Sequence, residues 1–287
     1  MELPYLYLKP PRTFLGLECK LEAAKYVVLP IPFDSTESYK PGQMNAPRAI
    51  IDASLHIDSI FDPKTKKKVP TAIYTSKEIE LPRGEVDESM KRIKELVGEV
   101  IRLGKIPVII GGEHTVSFGA LAAFEKRVKF VVLDAHADLR DEFEGSKLNY
   151  ATFCRRIVEN GVEVIEIGVR SISEEEYVFA NSSKNLKILY KWELDEDFDK
   201  CLEKIEKFLK GERIYLSIDF DVLDPSIARG VSHLEPNGFN WIQICEVLTT
   251  IHSCAQIVGF DLVEVIPDGF TEEIAAKLLC YLLSLLG

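Results

Sequence analysis

The sequence predicts an α/β protein: one three-layer α/β/α domain over residues 1–287, built on a mostly parallel central sheet. Three observations predict it. Short runs rich in β-branched residues, at 26–29, 107–110, 130–133, 164–167, 214–218 and 257–260, read as buried strands. Between them lie amphipathic stretches at 87–103, 195–209, 240–252 and 271–285, whose apolar residues recur at three and four positions and read as helices. Strand and helix alternate, which predicts βαβ units with right-handed crossovers and a sheet covered on both faces.

In chain order, Tyr-Val-Val-Leu at 26–29 opens the series, and 62–68 (Asp-Pro-Lys-Thr-Lys-Lys-Lys) predicts an exposed turn. The runs at 107–110, 130–133, 164–167, 214–218 and 257–260 are nearly continuous in apolar character, as strands buried on both sides require. No internal repeat, low-complexity tract or Gly/Ser linker interrupts the pattern. The chain has 287 residues, of which 46% are hydrophobic and 28% charged, which argues against disordered and fibrous classes; that length permits one large domain or two small ones, and the lack of a repeat or linker favours one.

A net charge of −11 repels phosphate backbones, so nucleic acid is not an expected partner, whereas a carboxylate-lined cleft would attract a small cation. The six cysteines form no C-x-x-C pair and are expected to be reduced packing residues. The opening Met-Glu-Leu-Pro-Tyr-Leu shows no basic region before an apolar stretch, so no secretory signal is expected. The apolar stretch 274–286 is interrupted by Lys277 and too short to span a bilayer. The expected location is cytoplasmic, with no membrane partner.

In open parallel sheets, functional groups gather past the carboxyl ends of the strands. Four predicted strands end in polar or glycine-rich sequence: Gly111-Gly112-Glu113-His114, Asp134-Ala135-His136-Ala137-Asp138, Asp219-Phe220-Asp221 and Asp261-Leu262-Val263-Glu264. All four should open onto one edge. An extended backbone would place Asp134, His136 and Asp138 on one side, and a curl at the strand end would let them converge. The plainer reading is a polar strand end with an aspartate capping the next helix. For Asp219 and Asp221, the plainer reading has one carboxylate in solvent and the other capping a turn.

Company decides between these readings. Four aspartates in one partly desolvated site would protonate or destabilise the fold unless cations neutralised them. Two divalent ions carry about +4, which balances the count. His114 and His136 add nitrogen donors, and carboxylates with imidazoles and no thiolate suit manganese, with iron(II), zinc or cobalt as other occupants. Gly111 and Gly112 would let the backbone carrying His114 turn tightly and approach the site.

With these motifs in view, the chain resembles the ureohydrolase family of arginase, agmatinase and their relatives over nearly its whole length. Gly111 to His114 resembles the family's G-G-[DE]-H, Asp134 to Asp138 its D-A-H-x-D, Ser217 to Pro225 its S-x-D-x-D-x-x-D-P, and Asp261 to Pro267 its D-x-x-E-x-x-P. The resemblance implies an arginase-like fold and two Mn2+ ions. His114 and Asp138 would bind one ion, His136 and Asp221 the other, and Asp134 and Asp219 would bridge both. It also implies that Glu264 receives the substrate's guanidinium group, that Asp138 shuttles a proton to the leaving amine, and that the chain forms a homo-oligomer, trimer or hexamer. Pro32-Phe33-Asp34 with Gly42 and Pro47 is similar to the family's first substrate-side loop.

Two places depart from the family. Tyr150-Ala151-Thr152 stands where a histidine, a small residue and a threonine are usual, and tyrosine titrates far above histidine. Tyr150 is therefore expected to contact substrate, with a changed rate or substrate choice. The loop from Arg229 to Gly238 keeps the family's Pro- and Gly-rich loop in outline only, and its His233 reads as incidental. Residues 138–145 resemble agmatinase-like sequences, so the expected substrate is agmatine, cleaved to putrescine and urea. Aminopropylagmatine, guanidinobutyrate, formiminoglutamate and arginine stay open, as does a metal-binding but inactive relative.

Overall fold

A computed structural model describes residues 9–124 and 128–287; residues 1–6, on which the expectation of no secretory signal rests, lie outside them. The strands are β1 (Tyr26–Pro30), β2 (Phe61–Asp62), β3 (Lys67–Lys68), β4 (Ile73–Thr75), β5 (Ile106–Ile110), β6 (Lys129–Leu133), β7 (Val164–Val169), β8 (Leu186–Tyr190), β9 (Arg213–Asp219) and β10 (Gln256–Val263). The helices are α1 (Ala46–Ser54), α2 (Val86–Arg102), α3 (Val116–Leu121), α4 (Phe153–Glu159), α5 (Glu174–Ser182), α6 (Lys191–Glu196), α7 (Phe198–Leu209), α8 (Trp241–Cys254) and α9 (Thr271–Leu286).

Eight strands form one sheet in the order β4-β1-β5-β10-β9-β6-β7-β8, and every pairing in it is parallel. Alternate side chains feed two cores: Val131 and Leu133 of β6 pack on one face, Phe130 and Val132 on the other. The first core takes apolar residues of α1, α7, α8 and α9, the second those of α2, α3 and α4, giving the expected three layers. Each fully buried Leu, Ile, Val or Phe here contributes roughly 1.5–3 kcal/mol relative to exposure.

All six expected strands are present. The two that the sequence did not reveal, β4 and β8, are the edges of the sheet, where more than half the residues stay at least partly exposed and the apolar run is diluted. The helix expected over 195–209 is corrected to two: Asp197 (φ −153°) breaks it, and its carboxylate accepts from Lys200 N to cap α7. The expected turn at 62–68 joins β2 and β3 in an antiparallel hairpin. All six cysteines are free and four are buried. Among the described residues, no helix is long and apolar enough to cross a membrane.

Candidate metal centre and substrate cavity

β5, β10, β9 and β6 are consecutive across the middle of the sheet, and their shared direction brings their carboxyl ends to one edge. The four polar segments therefore meet, as their sequence suggested. At the end of β5, Gly112 lies so close to the loop after β1 that a Cβ would sit 1.8 Å from Phe33 O. Only glycine fits there, and the approach lets Glu113 N donate to Phe33 O at 2.7 Å.

The segment after β6 is not one extended run. β6 stops at Leu133, and the chain curls until Asp138 takes a left-handed conformation at φ 52°. Glu264, just past β10, is also left-handed at φ 64°. For non-glycine residues each such turn costs about 1–3 kcal/mol, a strain kept where surrounding structure over-determines it. No helix starts nearby for Asp138 to cap, since α4 begins at Phe153. Asp219 ends β9 and accepts from Asp221 N at 2.8 Å, yet both carboxylates are buried, so neither faces solvent.

Two triplets of donor atoms result. One atom each from His114, Asp134 and Asp219 lie within 4.8 Å of one another, and so do atoms from Asp134, His136 and Asp221. Asp134 is common to both. Asp138 lies outside both triplets, with Oδ2 3.6 Å from His114 Nδ1. His114 is 1% exposed, and its Nδ1 stands 3.0 Å from Asp134 Oδ2 and 3.0 Å from Asp219 Oδ2 without hydrogen-bond geometry to any partner. A buried imidazole nitrogen left in that position, among carboxylates that no lysine or arginine pairs with in the described residues, is a donor set suited to divalent cations.

The other face of His114 is wired into the protein. Its Nε2 meets Ser217 Oγ at 2.9 Å, Ser217 donates to Asp261 Oδ1 at 2.6 Å, and Ser117 and Tyr215 both donate to Asp261 Oδ2 at 2.7 Å. Phe153 packs on the ring at 4.4 Å. His136 is held differently: its side chain is 24% exposed, Nδ1 meets Asp221 Oδ2 at 2.8 Å, and Nε2 lies 3.6 Å from Glu235 Oε1. Arg170 braces this half by donating to the main-chain oxygens of Asp221 (2.8 Å), Glu235 (2.9 Å) and Pro236 (3.0 Å).

Burial pushes the Asp134, Asp138 and Asp219 carboxyls above their usual range, and neighbouring negative charge adds to it. Burial also opposes ionisation of Asp221, but the charge of His136 and its hydrogen bond hold that carboxyl low. For His114, burial works against the cation, yet Asp134 and Asp138 outweigh it and raise the ring to about 9. Charges in this cluster are thus mutually dependent, as four acids packed around two imidazoles must be.

A cavity of about 340 Å³ opens above the cluster, with Asp138, Asp219, Asp221, His136 and Glu264 among its lining residues. Glu264 is 6% exposed; Oε1 accepts from His114 N at 2.6 Å and Oε2 from Gln43 Nε2 at 3.2 Å. Burial, then repulsion from Glu37 and Glu113, pushes its carboxyl up to about 8. Tyr150 lines the same cavity, bonds Ser38 Oγ at 2.6 Å, and is raised to about 12 by burial. That suits a hydrogen-bonding wall and not a proton carrier near neutral pH.

Sequence reasoning missed Glu37, Gln43, Ser232 and Glu235, and discounted His233, which lines the cavity against Tyr150 at 5.8 Å between ring centres. Glu37 sits in the irregular loop after β1, Gln43 opens the short 3-10 turn Gln43–Asn45 before α1, and the others lie in the loop before α8, where no periodicity marks them. The one available signal was position, since both loops follow carboxyl ends of strands beside the cluster.

Comparison with known proteins agrees with this geometry. The model of the Arginase family matches residues 24–285. An agmatinase of Pyrococcus horikoshii is 33% identical over 92% of this chain and 93% of that protein. An N(1)-aminopropylagmatine ureohydrolase of Thermococcus kodakarensis is 33% identical over 91% of this chain and 90% of its own length. The crystal structure of the agmatine ureohydrolase of Thermoplasma volcanium superposes with a TM-score of 0.85 at 29% identity, covering 96% of this chain and 94% of that one. The class defined by this fold and site is a hydrolase acting on guanidino compounds. The chain belongs to the arginase family.

Proposed function

We propose that the chain hydrolyses agmatine to putrescine and urea with two bound manganese ions. The observation that carries the reading is the pair of overlapping donor triplets, His114–Asp134–Asp219 and Asp134–His136–Asp221, with Asp138 beside them at a cavity that has Glu264 on its wall. His114 and Asp138 would hold one ion, His136 and Asp221 the other, with Asp134 and Asp219 between them. When bound, such a pair neutralises the carboxylates and acidifies water enough to supply a nucleophile near neutral pH.

The protein's own groups do the rest. Glu264 takes the guanidinium by charge, and the arriving cation draws down the carboxyl that burial raises. Hydrolysis converts R–NH–C(NH2)2+ and water into R–NH3+ and urea, so both protons of the water finish on the departing nitrogen. Asp138, which lines the cavity, would carry one of them. We take the chain to act as one domain in a cytoplasmic homo-oligomer, a trimer or hexamer.

A longer substrate is the second reading, favoured by the similar proteins from Thermococcus kodakarensis and Synechocystis that are named aminopropylagmatine ureohydrolases. Urea release from agmatine, aminopropylagmatine, guanidinobutyrate and arginine, and formamide release from formiminoglutamate, each with added manganese, chooses among them. Agmatine should give the highest kcat/KM, and no turnover of any compound would sink the reading.

A further inference from the structure

His233 stands in the cavity wall with its two ring nitrogens in unlike surroundings. Nδ1 meets Ser232 Oγ at 2.9 Å, and Ser232 Oγ meets Glu37 Oε2 at 2.8 Å. Glu37 also accepts from Gln43 Nε2 at 2.7 Å and from Tyr39 N at 2.7 Å, so its carboxylate is an acceptor on every side. The single proton of the Ser232 hydroxyl is therefore committed to Glu37. Its lone pair must take the Nδ1 proton, which leaves Nε2 as an acceptor with no partner among the described residues.

The ring is placed beside the acidic cluster. It lies edge-on to His136 at 5.9 Å and stacked on Tyr150 at 5.8 Å. Gln43 donates both to Glu37 and to Glu264, so one hydrogen-bond chain, Glu264–Gln43–Glu37–Ser232–His233, joins two acceptors of the cavity wall. A substituted guanidinium is planar and offers five N–H donors and no acceptor. A carboxylate and a lone imidazole nitrogen are complementary to it.

We propose that His233 is a substrate-contacting residue whose Nε2 accepts a hydrogen bond from the N–H of the alkyl-substituted guanidino nitrogen, the one that leaves with the amine. The proposal rests on the ureohydrolase reading. Glu37 and Ser232 are its positioning residues, because they hold the tautomer that makes the acceptor.

The test uses the full chain loaded with manganese, comparing KM for agmatine with the inhibition constant of butylguanidine, which keeps the guanidino end and lacks the distal amine. His233→Ala should weaken both by about tenfold, the scale of one hydrogen bond to a charged group. His233→Gln, whose amide oxygen accepts, should recover most of the loss, and Ser232→Ala should give a smaller loss at unchanged melting temperature. Equal constants in wild type and His233→Ala would overturn the proposal. A loss confined to agmatine would overturn it too, by placing the contact at the distal amine. A wild-type chain that binds manganese but releases urea from no guanidino compound would instead remove the ureohydrolase reading, and this proposal with it.

Discussion

His114 and His136 are the two imidazoles of one acidic cluster, yet the protein treats them oppositely. His114 is sealed from water, with its far nitrogen on Ser217 and, through it, on the fully buried Asp261. His136 stands at the cavity wall and is oriented mainly by carboxylates, with Asp221 on one nitrogen and Glu235 beyond the other. The inner ring is set before any ligand arrives, while the outer ring is held by the buried Asp221 on one side and the part-exposed Glu235 on the other. Preorganisation of that kind predicts that an ion at the inner position would be the tighter held and the slower to exchange.

The largest expected effect comes from erasing the distinction. Asp134 belongs to both donor triplets, so Asp134→Asn should reduce bound manganese at both positions. Urea release should then fall by more than about 100-fold, beyond the usual cost of losing a supporting residue. Elemental analysis of the dialysed protein beside an activity assay checks it, and full metal content would break the picture.

Separating the halves is the next test. His136→Ala should keep one tightly held manganese per chain and His114→Ala should not, as read by titration calorimetry. Equal retention in the two variants would show that burial does not rank the positions. A smaller effect is expected at Ser217→Ala, which frees the inner ring to turn: metal affinity there should drop by roughly 10–100-fold with the outer position little changed.

The smallest effect concerns pH. Burial raises Glu264 to about 8 and Glu113 to about 7, above the usual glutamate value near 4.3. Between those values the folded chain holds more protons than the unfolded one, so in chelator-treated protein these two groups make stability fall as pH rises from about 4.5 to 8. The melting temperature should decline by several degrees over that window, and Glu264→Gln should flatten part of the slope. A melting temperature that climbed with pH in both proteins would contradict this assignment.

How much of this was legible in the sequence follows from where each part sits. Central strands are nearly continuous in apolar character, so all six were readable, whereas the edge strands β4 and β8 carry mixed exposure and were not. The cluster residues were readable because each lies within five residues of a strand's carboxyl end, where topology alone dictates convergence. Glu37, Gln43 and Ser232 were not, because their contacts span up to 221 residues of sequence. His233 was visible, but Tyr150 against its ring and Glu37 behind Ser232 are supplied only by the folded loops.

The order of strands across the sheet carries one more consequence. β10, the last strand in the chain, is wedged between β5 and β9, and it brings Glu264 and the Asp261 that backs His114. A nascent polypeptide therefore has no finished pocket until its final strand slides into the gap, a non-local step that topology makes slow.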